Sequence, residues 1–541
     1  MKLRRPVLLV LALAAVLFLW KLGGHDLWAP DEPYFGEGAR EMVVDGQWLV
    51  PHVNGVVTTD KPPLFFWLIA FFSLPFGHVT SWTARLPSVL AALGTLLLVI
   101  RLARRFDAEG GRRLAWLAPL VLATTFMFWD KARWAQIDSL LCFLIWVSLS
   151  AFEAWRAGDA DGRRAGLLFW AAAALASLAK GPVGLLLPLG IALVTLAFDR
   201  RFRRWKEFAP LTGPLLFAVI AGVWMTWSTL GSGGEYSVWS ALDKHFVNRA
   251  VHGMHHRQPP WYYLTVLPVQ LLPWSGLVPG ALVLAWRQRR TATYRFLLVA
   301  SLFVVVFFSI STEKRNLYVL PAFPAFALLV ASLIDTIAFP RGEAAAPRID
   351  RRWLYGGQVV LGAVLALAGV AVPIIARGRE EAPYWMALCL AAVLLAAGVV
   401  TLWACRGRRP LRAALAPAAG FAIGYLFLVT VAYPALEPRK SARPFAEEAA
   451  AASAASRAAG HQVLAYDLSN LPEAFAFYGN GFYTVETQDP AVLAAHLSQS
   501  DTVWALVNRP GLDTLSPALR DRLVIVDETY LASRDVLLVK N

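Results

Sequence analysis

Apolar residues run through this chain of 541 residues in long blocks, without the strict alternation or narrow stripes of a soluble domain. A helix advances about 1.5 Å per residue, so roughly 20 apolar residues cross a hydrocarbon core of about 30 Å. Blocks of that kind fall near 6–22, 82–103, 114–130, 136–155, 165–180, 182–198 and 209–230, and again near 263–286, 296–311, 317–338, 354–376, 384–405 and 411–433. The pattern predicts an all-α polytopic membrane protein of about thirteen transmembrane helices. The first block follows Lys2, Arg4 and Arg5 and reads as an uncleaved helix. Trp20, Lys21 and His25 stand where a signal peptide would have small residues for cleavage.

Between the blocks lie two long polar connections, 23–81 and 231–262. In the first, Phe35, Ala39, Met42 and Val43 recur at helical spacing after Pro33, with Glu37, Arg40, Glu41 and Asp45 on the other side. That is the pattern of a helix lying in the membrane interface, and Gly46 would end it. The apolar stretch 62–76 is short and contains Pro75, so it reads as interfacial or re-entrant. After Pro434 the pattern changes. An Ala/Glu-rich helical stretch precedes short β-branched runs at 462–467, 482–485, 502–507, 523–526 and 535–539, the signature of a small soluble α/β domain. The expected division is a membrane domain over 1–440 and an α/β domain over 441–541.

Composition excludes a soluble globule: 57% of residues are hydrophobic, 16% are charged, and the mean hydropathy is +0.51. A formal charge of +14 would suit a nucleic-acid binder if it were gathered on one surface. Here the basic residues come in short clusters between apolar blocks, around Arg101–Arg113, Arg156–Arg164, Arg200–Lys206, Arg287–Arg295, Arg341–Arg352 and Arg406–Arg412. An excess of Lys and Arg marks cytoplasmic loops, so these clusters put the N-terminus inside and both long connections and the α/β domain outside. Cys142, Cys389 and Cys405 all fall in or beside apolar blocks and offer no disulfide in an outer loop.

Against that topology, charged residues on the outer side need a reason. Asp31 and Glu32, just before the interfacial helix, read as helix caps or as a carboxylate held at the membrane surface for general-base work. Lys61 reads as a snorkelling side chain or an anion ligand. Lys131, Arg133, Lys180, Arg249, Arg257, Lys314 and Arg315 join it outside, and their gathering points to an anionic, phosphate-bearing ligand. Asp138 reads as a helix cap or a second acidic group at the mouth of a span. His245, His252, His255 and His256 lie in the second connection, where His255 and His256 could join Asp60 around a divalent metal such as zinc, although their spacing is irregular.

Several of these residues carry a resemblance. Asp31-Glu32-Pro33-Tyr34, Ala39-Arg40-Glu41-Met42, Gly46-Gln47-Trp48-Leu49-Val50-Pro51-His52-Val53-Asn54-Gly55, Asp60-Lys61-Pro62-Pro63-Leu64, Ala84-Arg85-Leu86-Pro87-Ser88 and Lys314-Arg315-Asn316-Leu317-Tyr318-Val319-Leu320-Pro321 stand in order along the chain. The series resembles the C superfamily of glycosyltransferases (GT-C), and within it the bacterial aminoarabinose transferases of lipid A, relatives of the protein O-mannosyltransferases. The resemblance implies a sugar donor carried on undecaprenyl phosphate and lipid A as acceptor. It also implies an inner-membrane enzyme with a periplasmic site and a periplasmic C-terminal domain. By the same resemblance Asp31 is the key carboxylate, Asp138 a second acidic position, Lys61 and Arg315 donor-phosphate contacts and Tyr318 a gate beside them. The family's occasional metal site would fall on Asp60 and the loop histidines, and Asp60 stands where Glu is commoner. Another sugar, a protein or glycan hydroxyl as acceptor, and a polyprenyl-lipid transporter are the alternatives. A transporter would favour polar breaks in mid-helix, of which the sequence has few.

Overall fold

The computed structural model describes residues 5–59, 61–106, 113–234, 257–340, 348–378 and 383–541. It is a helical bundle with one small mixed sheet at its C-terminal end. The helices that frame the site are α1 (Arg5–Leu19), α2 (Asp31–Val44), α3 (Leu64–Ser73), α4 (Ser81–Phe106), α5 (Leu114–Thr124), α6 (Phe126–Arg133), α7 (Asp138–Arg156), α8 (Gly162–Lys180), α9 (Val183–Asp199) and α10 (Thr212–Gly231).

By length and composition, eight described helical stretches suffice to cross a membrane, from Ser81–Phe106 to the run Pro410–Ala452. Counting Tyr262–Gln270 with Ser275–Arg287 as one span, although the two are bent by 120°, makes nine. The expected thirteen is not reached by that measure. Three of the thirteen apolar blocks form helices of only 10–17 residues, α1, α5 and α9, and the block at 114–130 is split between α5 and α6. The split has a physical reason. Thr125 is extended between the two helices, and the Phe126 N–H freed by the break donates to the Leu272 carbonyl at 2.8 Å. Leu272 lies in the bend of the 120° pair, so two interrupted helices satisfy each other's backbone away from water. The stretch expected as interfacial is the short helix α3, followed by a single turn through Phe76.

The core is aromatic. Trp129 and Tyr425 stack at 3.9 Å with rings 5° from parallel, and the Trp129 indole N–H donates to the Leu17 carbonyl. At one end of α7, Glu153 and Arg156 form a buried network with Asp199 and Arg295. The opposite end of the same helix opens on the candidate site.

The sheet has strands β3 (Val463–Tyr466), β4 (Thr484–Thr487), β5 (Trp504–Asn508), β6 (Val524–Leu531) and β7 (Arg534–Lys540) in the order β4-β3-β5-β7-β6, parallel among the first three and antiparallel thereafter. It packs onto the first long connection through a hairpin of β1 (His52–Val53) and β2 (Val56–Val57). The turn residues Asn54 and Gly55 both have positive φ, as a two-residue hairpin turn of this twist requires. The Asn54 amide then acts as a strand edge, donating to the Thr484 carbonyl at 2.9 Å and accepting from its N–H at 3.1 Å. Arg40 of α2 reaches the same region. It is held by both oxygens of Glu37 and donates to the Tyr483 hydroxyl at 2.8 Å.

Candidate functional site

The site begins with Asp31, the first residue of α2. Pro30 takes the N-cap position and no side chain caps the helix, so the capping reading of Asp31 and Glu32 is not what the structure shows. Instead the two adjacent carboxylates diverge. The Oδ2 atom of Asp31 accepts from Arg315 at 3.0 Å and from the Gln136 amide at 2.5 Å. Its Oδ1 has no hydrogen-bond partner among the described residues, and the side chain is about a quarter exposed, at 28%.

Glu32 is fully buried. Its Oε1 accepts from Arg85 Nε at 2.7 Å and from the Ala135 N–H at 2.9 Å, while its Oε2 accepts from Arg85 Nη2 at 2.7 Å and from the Trp28 N–H at 3.1 Å. Burial works against the charge, but the Arg85 guanidinium beside it holds the Glu32 carboxyl below its usual range. Arg85 in turn donates to the carbonyls of Leu22, His25 and Asp26. The pair ties the turn after α1, the start of α2 and the connection 134–137 to α4. Both Glu32 oxygens are engaged in this way, whereas Asp31 keeps one open among the described residues.

That connection leads directly into α7, whose first residue is Asp138. Asp138 makes no cap either; its Oδ1 accepts from Lys180 Nζ at the end of α8 at 2.5 Å. The Lys180 ammonium stands 4.7 Å from the centre of the Tyr318 ring. Tyr318 also packs on Phe308 at 5.2 Å. Residues 316–322 form a tight turn fastened to α7, where Trp146 donates to the Pro321 carbonyl at 2.8 Å. Tyr263 donates to the Arg315 carbonyl and Gln270 to that of Asn316. Asp31, Gln136, Asp138, Lys180, Arg315 and Tyr318 therefore form one linked cluster drawn from α2, the 134–137 connection, α7, α8 and the 311–318 connection.

Other expected cations have different duties. The Lys314 ammonium is buried and donates to the carbonyls of Gln258 and Ser311. Arg257 is exposed and its backbone bridges to Glu313, pinning the 311–315 segment. Arg133 spends its guanidinium on the carbonyls of Leu17, Phe18 and Trp20, satisfying the end of α1. Lys131 pairs with Asp130 at 2.9 Å. Lys61 is half-buried just ahead of α3. Leu64 at the start of α3 packs in one small apolar cluster with Leu178, two residues before Lys180, which brings this stretch beside the end of α8. Asp60, His255 and His256, like Arg249, lie outside the described residues. Among the described residues no group of three or more His, Cys, Asp or Glu could hold a metal ion.

Arg315 has one N–H committed to Asp31, and burial, which alone would weaken its hold on the proton, is outweighed by that carboxylate. Among the described residues, its remaining guanidinium donors and two of the three Lys180 donors have no hydrogen-bond partner and could serve an anion. Lys180 appeared in the sequence only as one of several outer cations, and Gln136 did not stand out at all. The cue for Lys180 was a lone charge closing an apolar helix before Gly181-Pro182.

The chain is 34% identical over 429 residues to an undecaprenyl phosphate-alpha-4-amino-4-deoxy-L-arabinose arabinosyl transferase of Pseudomonas aeruginosa, covering 76% of this chain and 73% of the relative. It belongs to the undecaprenyl phosphate-aminoarabinose arabinosyl transferases. An undecaprenyl phosphate-alpha-4-amino-4-deoxy-L-arabinose arabinosyl transferase 2 from Sodalis glossinidius is 30% identical with the same coverages. The family model of dolichyl-phosphate-mannose-protein mannosyltransferases matches residues 60–227. That stretch includes Lys61, Arg85, Gln136, Asp138 and Lys180. In fold, the chain superposes on a crystal structure of ArnT from Cupriavidus metallidurans bound to undecaprenyl phosphate with a TM-score of 0.77 at 23% identity, over 98% of this chain and 97% of that one. An archaeal oligosaccharyltransferase, AglB from Archaeoglobus fulgidus, superposes with a TM-score of 0.53 at 10% identity, over 93% of this chain and 69% of that one. As an arabinosyl transferase of this family, the chain is an integral membrane glycosyltransferase that depends on a polyprenyl-phosphate donor.

Proposed function

We propose that this protein moves 4-amino-4-deoxy-L-arabinose from undecaprenyl phosphate to a phosphate of lipid A on the periplasmic face of the bacterial inner membrane. The N-terminus is then cytoplasmic, residues 1–440 form the transferase domain, and residues 441–541 form a periplasmic α/β domain. The observation that carries the reading is the contact of Arg315 with Asp31 beside the Asp138–Lys180 pair, since it joins spare cationic donors to a carboxylate in one cluster.

In this reading Arg315, Lys180 and Lys61 grip the donor's phosphodiester. Fixed cations there stabilise the charge that develops on the departing undecaprenyl phosphate as the glycosidic bond breaks. A phosphate leaves as an anion, so no acid catalyst is required. The acceptor phosphate is already anionic at neutral pH and attacks the sugar from the opposite face with inversion. Asp31 orients the reacting sugar through its open Oδ1, and Asp138 fixes Lys180 and the Tyr318 ring beside it. Glu32 and Lys314 support the cluster without touching the reactants, and no step needs a metal. Mass spectrometry of lipid A from cells with and without the protein tests the reading. A gain of one aminopentose per modified phosphate is expected; unchanged lipid A alongside full expression rejects it.

A further inference from the structure

Gln136 is buried, with 7% of its surface exposed, and it sits between the two acidic positions of the site. A carboxylate only accepts hydrogen bonds, so the 2.5 Å contact with Asp31 Oδ2 must come from the Gln136 amide nitrogen. The other end of the same side chain, Oε1, then faces away from that contact. It is buried and has no hydrogen-bond partner. An orphaned buried carbonyl of this kind is costly unless something donates to it.

The backbone around Gln136 is firmly held. Its carbonyl accepts from Ser88 at 3.0 Å, its N–H donates to the Trp134 carbonyl at 2.8 Å, and the neighbouring Ala135 N–H is bound to Glu32. The amide is thus kept in place, and relaxation of the connection offers no easy way to satisfy Oε1. Asp31 Oδ1 also lacks a partner among the described residues. Each open oxygen shares its carbon with an atom of the Gln136–Asp31 contact, so the two stand on either side of one hydrogen bond. Together they form a pair of acceptors, one neutral and one anionic, while Arg315 and Lys180 each give one N–H to a carboxylate.

We infer that Gln136 is a specificity-determining residue whose Oε1, with Asp31 Oδ1, receives the protonated amino group of the donor sugar. An ammonium group brings several N–H donors and a positive charge, which suits such a pair better than a hydroxyl, and a bare methylene leaves both oxygens unpaired. This inference rests on the transfer reaction proposed above and names the sugar contact of that same site.

The test compares two lipid-linked donors in the purified full-length protein: undecaprenyl phosphate carrying 4-amino-4-deoxy-L-arabinose, and its counterpart with only hydrogen at C4. Sites that hydrogen-bond a substrate group reject the analogue lacking it, so wild type should prefer the amino donor by about 100-fold or more in kcat/KM. Gln136→Met keeps the length and volume but removes the acceptor together with the N–H donated to Asp31, and should shrink that preference to less than about 10-fold. Gln136→Glu retains an acceptor oxygen but replaces the N–H donated to Asp31 by a second carboxylate, so its overall rate should fall while the preference stays. It also carries the test if the methionine variant does not fold. An equal slowing of both donors in Gln136→Met, with the preference intact, overturns the inference and leaves the transfer reaction standing. Loss of the preference in Gln136→Glu also overturns it. Failure of wild type to transfer either sugar overturns the underlying functional reading and the inference with it.

Discussion

Replacing Glu32 by Gln separates a structural strut from a reacting carboxylate. Each Glu32 oxygen accepts one Arg85 N–H and one backbone N–H, from Ala135 or Trp28. Whichever oxygen becomes an amide group therefore turns two hydrogen bonds into donor–donor contacts. Arg85, itself fully buried, loses its counter-charge at the same time. Breaking a buried pair in this way costs about 3–5 kcal/mol. With about 2 cal/mol/K of unfolding entropy per residue, that corresponds to a fall in apparent Tm of roughly 3–5 °C for a chain of this length. The connection carrying Gln136 and Asp138 would loosen too, and a misplacement of about 1 Å can cost on the order of 100-fold in turnover. Thermal unfolding of the detergent-purified protein, measured beside transfer of labelled sugar, reads both effects. A lowered Tm with partial activity is expected. Complete loss of transfer at an unchanged Tm would refute the reasoning and make Glu32 a chemical group.

Lys180→Met should lower kcat/KM for the lipid-linked donor by about 100-fold, since a buried charge pair is broken where the anion binds; a kinetic titration with donor checks this. Asn54→Ala removes both hydrogen bonds to Thr484 and should weaken docking of the C-terminal sheet by about 1–2 kcal/mol, read as faster limited proteolysis beyond residue 440. Burial, reinforced by Glu37, pushes the Glu41 carboxyl up to about 8 even though the Gly55 N–H donates to it. A carboxyl raised in the fold contributes stability that is complete below its ordinary value near 4.5 and is lost as pH rises through 8. Glu41→Gln should therefore flatten the fall in thermal stability between pH 5 and 8, by an amount on the order of 3 kcal/mol. An unchanged slope would show that Glu41 is not the group responsible.

The hydrophobic blocks made the membrane fold legible, because the cost of burying charge in lipid leaves its mark on every span. The span count was harder to read. Apolar length alone does not distinguish a straight crossing from α5 and α6, which break at Thr125 because Leu272 is there to accept the freed N–H. The five short β-branched runs did become the five strands β3 to β7, since period and turn residues act locally. Asp31, Asp138 and Arg315 were visible as charges out of place, and the structure brings all three into one cluster. Lys314, Arg133 and Lys131 looked the same in sequence, yet Lys314 and Arg133 reach carbonyls distant in the chain and Lys131 pairs with its neighbour Asp130. Glu32 and Asp31 are adjacent in the chain, but Arg85, far away in sequence, decides that one is a strut and the other is open. Gln136 gave no signal because a single amide in a short connection has no pattern.

The central claim is that Arg315, in contact with Asp31, receives the phosphate of the lipid-linked sugar. The direct measurement uses protein reconstituted in liposomes with lipid A and undecaprenyl phosphate carrying labelled aminoarabinose, and compares wild type with Arg315→Ala and Arg315→Lys. Wild type should move label onto lipid A, the alanine variant should lose at least about 1000-fold, and lysine should restore only part because it lacks the planar fork. Transfer by Arg315→Ala at the wild-type rate would contradict the account.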